Sequence, residues 1–313
     1  MAFNLPTETA KGRIREVEIG AGEKARKVGG ENCMPFYLWE GEMPNKPLVA
    51  CEVLDEVGEL PPALEKVLGD VKDDPVAWAK KAVEEWGAEA IFLSLVSTDP
   101  KGTDKPAEEA AETVMKVEEA VGVPLIVYGT EDLDKDAEIA RVVAAKAEGK
   151  NLVIGPAKEE NHKKVGAPAI GYKHVVSAMT PIDVNLAKQL NILLTNLGME
   201  PDKLIIDPTT GALGYGLEYT YSVMERLKIA ALMQDDSMTQ MPLLANIGFQ
   251  AWKTKEAKSS IEDYPEWGDP EKRGIMWETL TAVALLMAGA DILVLRHPES
   301  IRLVKQLIAD LSA

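Results

Sequence analysis

From Pro47 onward the chain alternates short apolar runs with longer amphipathic stretches. The apolar runs fall at 48–54, 90–96, 124–128, 152–154, 174–178, 204–206, 243–245 and 292–295. They are leucine-rich or β-branched and do not alternate with polar residues. That pattern predicts strands buried on both faces, as in a parallel sheet. The stretches between them repeat apolar residues at helical spacing. Val76, Ala79, Val83 and Trp86 line one face, Ala110, Val114, Val117 and Val121 a second. Leu186, Leu190, Leu193 and Leu197 line another, and Ile301, Val304, Ile308 and Leu311 the last. The positions between are largely Glu, Lys and Asp, so each helix has a solvated outer face. Pro75, Pro106, Pro181 and Pro298 sit where first-turn prolines are tolerated, and Gly87, Gly122, Gly149 and Gly198 just past helix ends.

Eight strands, each followed by a helix, occupy residues 47–313. That is the arithmetic of a (β/α)8 TIM barrel, which takes about 250 residues. The weakest unit is the fourth, where Pro168 falls inside the expected helix 158–172. A doubly wound open sheet shares the alternation, but Asp55-Glu56-Val57-Gly58 after the first strand is no dinucleotide-binding glycine fingerprint. Residues 1–46 stand outside the rhythm and form an N-terminal extension. Val17 and Ile19 alternate with charges there, which predicts a small hairpin. Met34, Phe36, Tyr37, Leu38 and Trp39 follow as an apolar-aromatic cluster. It fits either an arm packed across the closed end of the barrel or a surface for another subunit.

Charge and composition narrow the function. The 313 residues hold 34 Lys+Arg against 51 Asp+Glu, a formal net charge of −17, which disfavours phosphate backbones and anionic lipid. No nucleic-acid or membrane partner is expected. Cys33 and Cys51 are the two cysteines, too few for a disulfide framework or a four-thiolate cluster within the chain. The first twenty residues show no apolar leader, and the longest apolar run, 282–290, is well short of the ~20 residues of a membrane span. A cytoplasmic protein is the expectation.

In a barrel of this kind chemistry gathers at the carboxyl ends of the strands. Those ends read Asp55, Ser97-Thr98-Asp99, Gly129-Thr130, Gly155-Pro156, Met179-Thr180, Asp207-Pro208-Thr209-Thr210-Gly211, Asn246-Ile247-Gly248 and Arg296-His297. They are rich in hydroxyls, amides and glycines and poor in strong catalytic groups. Of three histidines, only His297 falls near the mouth, so no metal site built on two or three histidines is expected. No nucleophile elbow, P-loop or Cys-x-x-Cys is present. No catalytic residue and no metal ligand is assigned. Asp207 ends a strand and opens a glycine-rich loop. It suits paired N–H donors of a heterocycle, and equally a loop cap or an ion pair with Arg296. Asn246 suits a planar ligand or a loop tie. Asp55 and Asp99 have ordinary capping roles open to them, and Cys51 reads as core. The segment 250–274, with Trp252, Tyr264 and Trp267, is long for a connection of this kind. It fits a lid, a docking surface, or packing on the barrel's own helices.

Three strings resemble one family: VGGENCMPFYLWEGEMPNKPLVACEVLD at 28–55, MTPIDVNLAKQLN at 179–191 and IIDPTTGALGYGLEYTYSVMERL at 205–227. They are similar to the small, delta-type subunit of the corrinoid iron–sulfur protein of the acetyl-CoA synthase/CO dehydrogenase (Wood–Ljungdahl) system, over essentially the whole chain. The resemblance implies a TIM barrel allied in architecture to pterin-binding methyltransferases. It implies a large partner subunit that carries a [4Fe–4S] cluster and most contacts to a corrinoid (cobamide), with this barrel's mouth capping the corrinoid. It further implies work with a methyltetrahydrofolate:corrinoid methyltransferase and with acetyl-CoA synthase/CO dehydrogenase, in anaerobic CO/CO2 fixation. The expected corrinoid contacts in this chain are Thr98, Asp99, Thr180, Asp207, Thr209, Gly211, Tyr215 and Asn246. The competing reading is a stand-alone pterin-dependent methyltransferase. Against it, Asp207 is followed by Pro-Thr-Thr-Gly rather than the Pro-Gly-type turn of dihydropteroate-synthase-like sites.

Overall fold

A computed structural model describes residues 6–313. A hairpin of β1 (Val17–Ile19) and β2 (Arg26–Val28) comes first. The main sheet then contains β3 (Leu48–Leu54), β4 (Ala90–Ser94), β5 (Leu125–Tyr128), β6 (Val153–Ala157), β7 (Val175–Met179), β8 (Leu204–Asp207), β9 (Leu244–Asn246) and β10 (Ile292–Leu295). All eight pair parallel, in the order β8-β7-β6-β5-β4-β3-β10-β9. The seam between β8 and β9 closes through a parallel bridge, Ile206 to Leu243, with the Ile206 N–H donating to Pro242 O at 2.9 Å. The chain is therefore a (β/α)8 barrel, as the alternation predicts.

The helices are α1 (Pro62–Leu68), α2 (Pro75–Glu84), α3 (Ala107–Ala120), α4 (Leu133–Lys146), α5 (His162–Gly171), α6 (Val184–Asn196), α7 (Leu217–Met233), α8 (Ile247–Ala251), α9 (Lys255–Lys258), α10 (Pro270–Ala288) and α11 (Pro298–Leu311). Several begin on aspartate caps. Asp74, Asp132, Asp183 and Asp269 accept first-turn N–H groups, satisfying donors that the helix leaves open.

Strand parity divides the core in two. Val49, Cys51, Ile91, Leu93, Leu125, Val127, Val176, Leu204 and Leu293 face outward into one large cluster beneath the helices. Ala50, Phe92, Ile126, Val153, Val175, Ile205, Leu244 and Val294 face inward and fill the barrel. The continuous apolar runs follow from this, because both faces of every strand are dry.

The extension contributes the floor. β1 pairs antiparallel with β2, and Val17, Ile19 and Val28 join the inner cluster at the amino ends of the barrel strands. Asn151 holds this hairpin. It donates to Glu18 O at 2.8 Å and Gly20 O at 3.0 Å and accepts from Lys203 Nζ at 2.9 Å. Further along, Glu31 enters a buried ion triad. Lys228 of α7 binds both Glu31 and Asp291, the latter at 2.8 Å, and Asp291 Oδ2 also accepts the Leu243 N–H at 2.7 Å.

Three local expectations change. β6 runs past 154 to Ala157, because Pro156 sits where the β6–β7 register shifts, so its missing N–H breaks no regular ladder. The helix of the fourth unit, α5, begins at His162 rather than 158, because the Asn161 side chain accepts the Lys158 N–H at 2.8 Å and bends the chain into a turn. Segment 250–274 is not an open loop. It contains α9 and the start of α10, and Trp252 is buried against Gly274, where a Cβ would lie 2.4 Å from the indole ring.

Candidate functional site at the barrel mouth

The inward parity that makes the barrel core apolar turns polar one layer higher. Two residues beyond Ala50, Phe92, Ile126, Val175, Ile205, Leu244 and Val294 stand Glu52, Ser94, Tyr128, Ser177, Asp207, Asn246 and Arg296. Each is placed by its strand, so the layer is held on rigid elements rather than on loops.

Two hydrogen-bonded groups make up most of this layer. Tyr128 Oη donates to Asp207 Oδ2 at 2.9 Å, and Ser177 Oγ, within bonding distance of the same hydroxyl, supplies its own hydrogen. Asp207 Oδ1 accepts the Thr209 N–H at 2.9 Å. Asp207 is 2% exposed, and burial raises its carboxyl pKa to about 6 against the pull of those two donors. Burial, joined by the Asp207 charge, also pushes the Tyr128 phenol well up, so it stays a donor. Gly155 makes room for this ring: a Cβ there would lie 2.7 Å from Tyr128 Cε2. The second group pairs Arg296 Nε with Glu52 Oε2 at 2.6 Å, while Glu52 Oε1 accepts from Ser94 Oγ at 2.8 Å. Arg296 thus pairs with Glu52, not with Asp207. Its backbone is fixed as well, since Glu278 accepts the N–H groups of Arg296 at 2.6 Å and His297 at 3.2 Å.

Above this layer opens a cavity of about 800 Å³. Leu54, Phe92, Met179 and Phe249 give it apolar wall, and Asp99, Thr130, Thr180, Asp207, Thr209 and Asn246 give it polar wall. Thr130 Oγ1, Thr180 Oγ1 and Asn246 Oδ1 are buried and have no hydrogen-bond partner among the described residues. These three lie on lining residues, so each can bond to whatever occupies the cavity.

Five of the eight expected contacts line this cavity: Asp99, Thr180, Asp207, Thr209 and Asn246. Thr209 holds φ at +63° and donates its hydroxyl to Thr180 O at 2.6 Å, tying the loops after β7 and β8 together. The other three lie elsewhere. Thr98 is buried and its hydroxyl closes a local turn on Leu95 O at 2.7 Å. Gly211 donates to Thr220 Oγ1 at 3.2 Å and braces the start of α7. Tyr215, in the glycine-rich loop, is 85% exposed. Glu52, Tyr128 and Ser177 escape a reading that takes only the residues after each strand. Their signal is the two-residue phase of the strands, with Glu52 as the one charge inside an apolar run.

Other candidates have local structural roles. Asp55 accepts the Ser97 N–H at 2.9 Å. His297 caps α11, its Nδ1 accepting the Glu299 N–H at 3.1 Å, and burial lowers its pKa to about 4. His174 accepts the Leu152 N–H at Nδ1 and donates from Nε2 to Ala144 O, so it is a neutral core group. Cys51 is buried on the outer face of β3. Among the described residues no group of three or more His, Cys, Asp or Glu is placed to hold a metal ion, and no helix is long and apolar enough to cross a membrane.

The parallel eight-stranded sheet, its apolar interior and the polar layer at the carboxyl ends of the strands place the chain in the class of (β/α)8 barrels. The comparisons agree on fold and narrow the family. Dihydropteroate synthase of Xanthomonas albilineans superposes with a TM-score of 0.57 over 87% of this chain and 95% of that one, at 17% identity, a likeness of fold alone. A sequence model described as CO dehydrogenase/acetyl-CoA synthase delta subunit matches residues 16–310. The acetyl-CoA decarbonylase/synthase complex subunit delta 2 of Methanosarcina acetivorans is 38% identical over 306 residues, covering 94% of this chain and 70% of the relative. Subunit delta of Methanopyrus kandleri is 39% identical over 305 residues, covering 94% and 74%. The chain belongs to the CO dehydrogenase/acetyl-CoA synthase delta subunit family.

Proposed function

We propose that this chain is the barrel subunit of a methyl-carrier complex in the acetyl-CoA pathway, working in the cytoplasm, and that its mouth covers one face of a corrinoid held mainly by a larger partner subunit. One observation carries the reading: an 800 Å³ mouth, in a chain of this family, lined by buried polar atoms without partners. A flat macrocycle edged with carboxamides fits such a wall better than a small polar substrate does, because amides offer both donors and acceptors. Thr130, Thr180 and Asn246 would hold that edge, and Leu54, Phe92, Met179 and Phe249 would exclude water from the enclosed face. When bound, the corrinoid supplies a cobalt centre that takes up and hands on a methyl group. The protein's part is to bind, orient and shield. Asp207, Glu52 and Arg296 set the floor beneath.

The [4Fe–4S] cluster belongs on the partner in this reading, since Cys33 and Cys51 are both buried and too few. Residues 1–46 act as a contact arm beside the 47–313 barrel: Tyr37 and Trp39 stack at 4.6 Å and are exposed. The further partners are a methyltetrahydrofolate:corrinoid methyltransferase and acetyl-CoA synthase/CO dehydrogenase. A stand-alone pterin-dependent methyltransferase is not favoured, since the likeness to dihydropteroate synthase is one of fold.

Visible spectra of the chain alone and of its co-purified complex test the proposal. The expected result is a colourless isolated chain and a complex with corrinoid and iron–sulfur bands. Cobalt retained by the isolated chain, or methyl transfer from methyltetrahydrofolate to free cobalamin by it, overturns the proposal.

A further inference from the structure

Among the described residues two cations line the cavity, and both are committed. Arg296 is paired with Glu52 at 2.6 Å and Lys158 with Glu131 at 2.6 Å. Glu56, Asp99, Glu159 and Glu160 also line the cavity, and none of them forms an ion pair among the described residues. Lys253 stands over the Phe249 ring of the same wall at 3.1 Å with no ion pair among the described residues, so carboxylates outnumber cations at the mouth without leaving it free of positive charge. Glu159 and Glu160 are exposed and screened by salt, so the opposition of these carboxylates to an added negative charge is strongest at low ionic strength.

A second observation points to what the mouth accepts. Thr180 is 5% exposed, lines the cavity, and its Oγ1 has no partner among the described residues. Asn246 Oδ1, an acceptor only, is likewise without a donor. Thr180 Oγ1 can donate as well as accept while Asn246 Oδ1 only accepts, so a carboxamide edge, which offers both N–H and C=O groups, can pair with both.

We propose that the mouth selects for ligand charge: it reads a neutral edge of carboxamide N–H donors and refuses the same edge carried as carboxylates. This rests on the reading of the mouth as a corrinoid face and adds a specificity to it. The acidic rim would then favour a fully amidated corrinoid over an incompletely amidated one. It would also refuse the glutamate tail of a folate, so methyl donor and corrinoid do not compete for the same opening.

The test uses the complex of the full chain with its large partner, freed of corrinoid and titrated with dicyanocobinamide or with dicyanocobyrinic acid at low salt. The expected result is cobinamide bound at least 100-fold more tightly. The E56Q/D99N/E159Q/E160Q variant should reduce that ratio to below tenfold, and so should E159K/E160K, which alters two exposed positions and guards against a misfolded quadruple variant. Both variants are first matched to the parent by thermal melting. Equal binding of the two corrinoids overturns the selectivity and leaves the corrinoid reading standing. If neither binds, the corrinoid reading fails and the selectivity with it. A ratio that both variants leave unchanged assigns the discrimination to the large subunit and overturns the proposal for this chain.

Discussion

Tyr128 and Asp207, on strands three places apart in the sheet, meet inside the barrel with the phenol donating to the carboxylate at 2.9 Å. The contact favours the charged form of the carboxyl at the centre of the polar layer, against the larger upward push of burial. Because the Tyr128 hydrogen bond opposes the upward push of burial, Tyr128→Phe should raise the Asp207 pKa above its value of about 6. A carboxyl-carbon NMR titration reads this directly. No upward movement would mean that the bond does not stabilise the charged form.

Asp136, Asp207 and Asp291 all have pKa values raised by burial, to about 7, 6 and 7. The folded state therefore binds protons that the unfolded state has released. The sign follows from linkage: these groups cost stability progressively as pH rises from about 4 through 7. Asp207→Asn should remove one contribution and flatten the dependence of Tm on pH by a few degrees. A variant with an unaltered slope would contradict the assignment.

Arg296 and Glu52 are both buried, so removing the cation strands a carboxylate. Arg296→Met should cost about 3–5 kcal/mol by denaturant unfolding. Glu52→Gln in the same chain should restore much of that loss. Additive costs in the double variant would argue against a direct pair.

Gly155 has no conformational reason to be glycine, since its φ is not positive; the reason is space. Gly155→Ala should force the Tyr128 ring aside and cost about 1–3 kcal/mol. The companion Gly155→Ala/Tyr128→Leu should recover part of it. If it does not, the tight contact is not what selects glycine.

Lys228 is the cation that joins Glu31 to Asp291. Lys228→Met should destabilise by about 3–5 kcal/mol and loosen the extension. Limited proteolysis should then cut between residues 31 and 47 faster than in the parent. A cleavage pattern identical to the parent's would show that the triad does not anchor this segment.

The barrel was legible in the sequence because its signal is repeated eight times, and several units carry their own aspartate caps. The mouth was legible only in part. Reading the residues that follow each strand finds Thr180, Thr209 and Asn246 but also Thr98, whose hydroxyl is spent on Leu95 O. Tyr215, expected among the contacts, is exposed and is not among the residues that line the cavity. Tyr128 is the converse case, hidden in the sequence. An aromatic residue ending an apolar strand reads as core, and only the phase of β5, fixed by pairing, shows that its hydroxyl reaches the floor.

The hairpin of Val17, Ile19 and Val28 stoppers the lower end of the barrel. Among the described residues, the protein is thus a cup rather than a tube. On the reading proposed above, a ligand at the mouth would be approached from one side, so methyl donor and acceptor would have to take turns there. A partner seated over that side would decide which of them gets in.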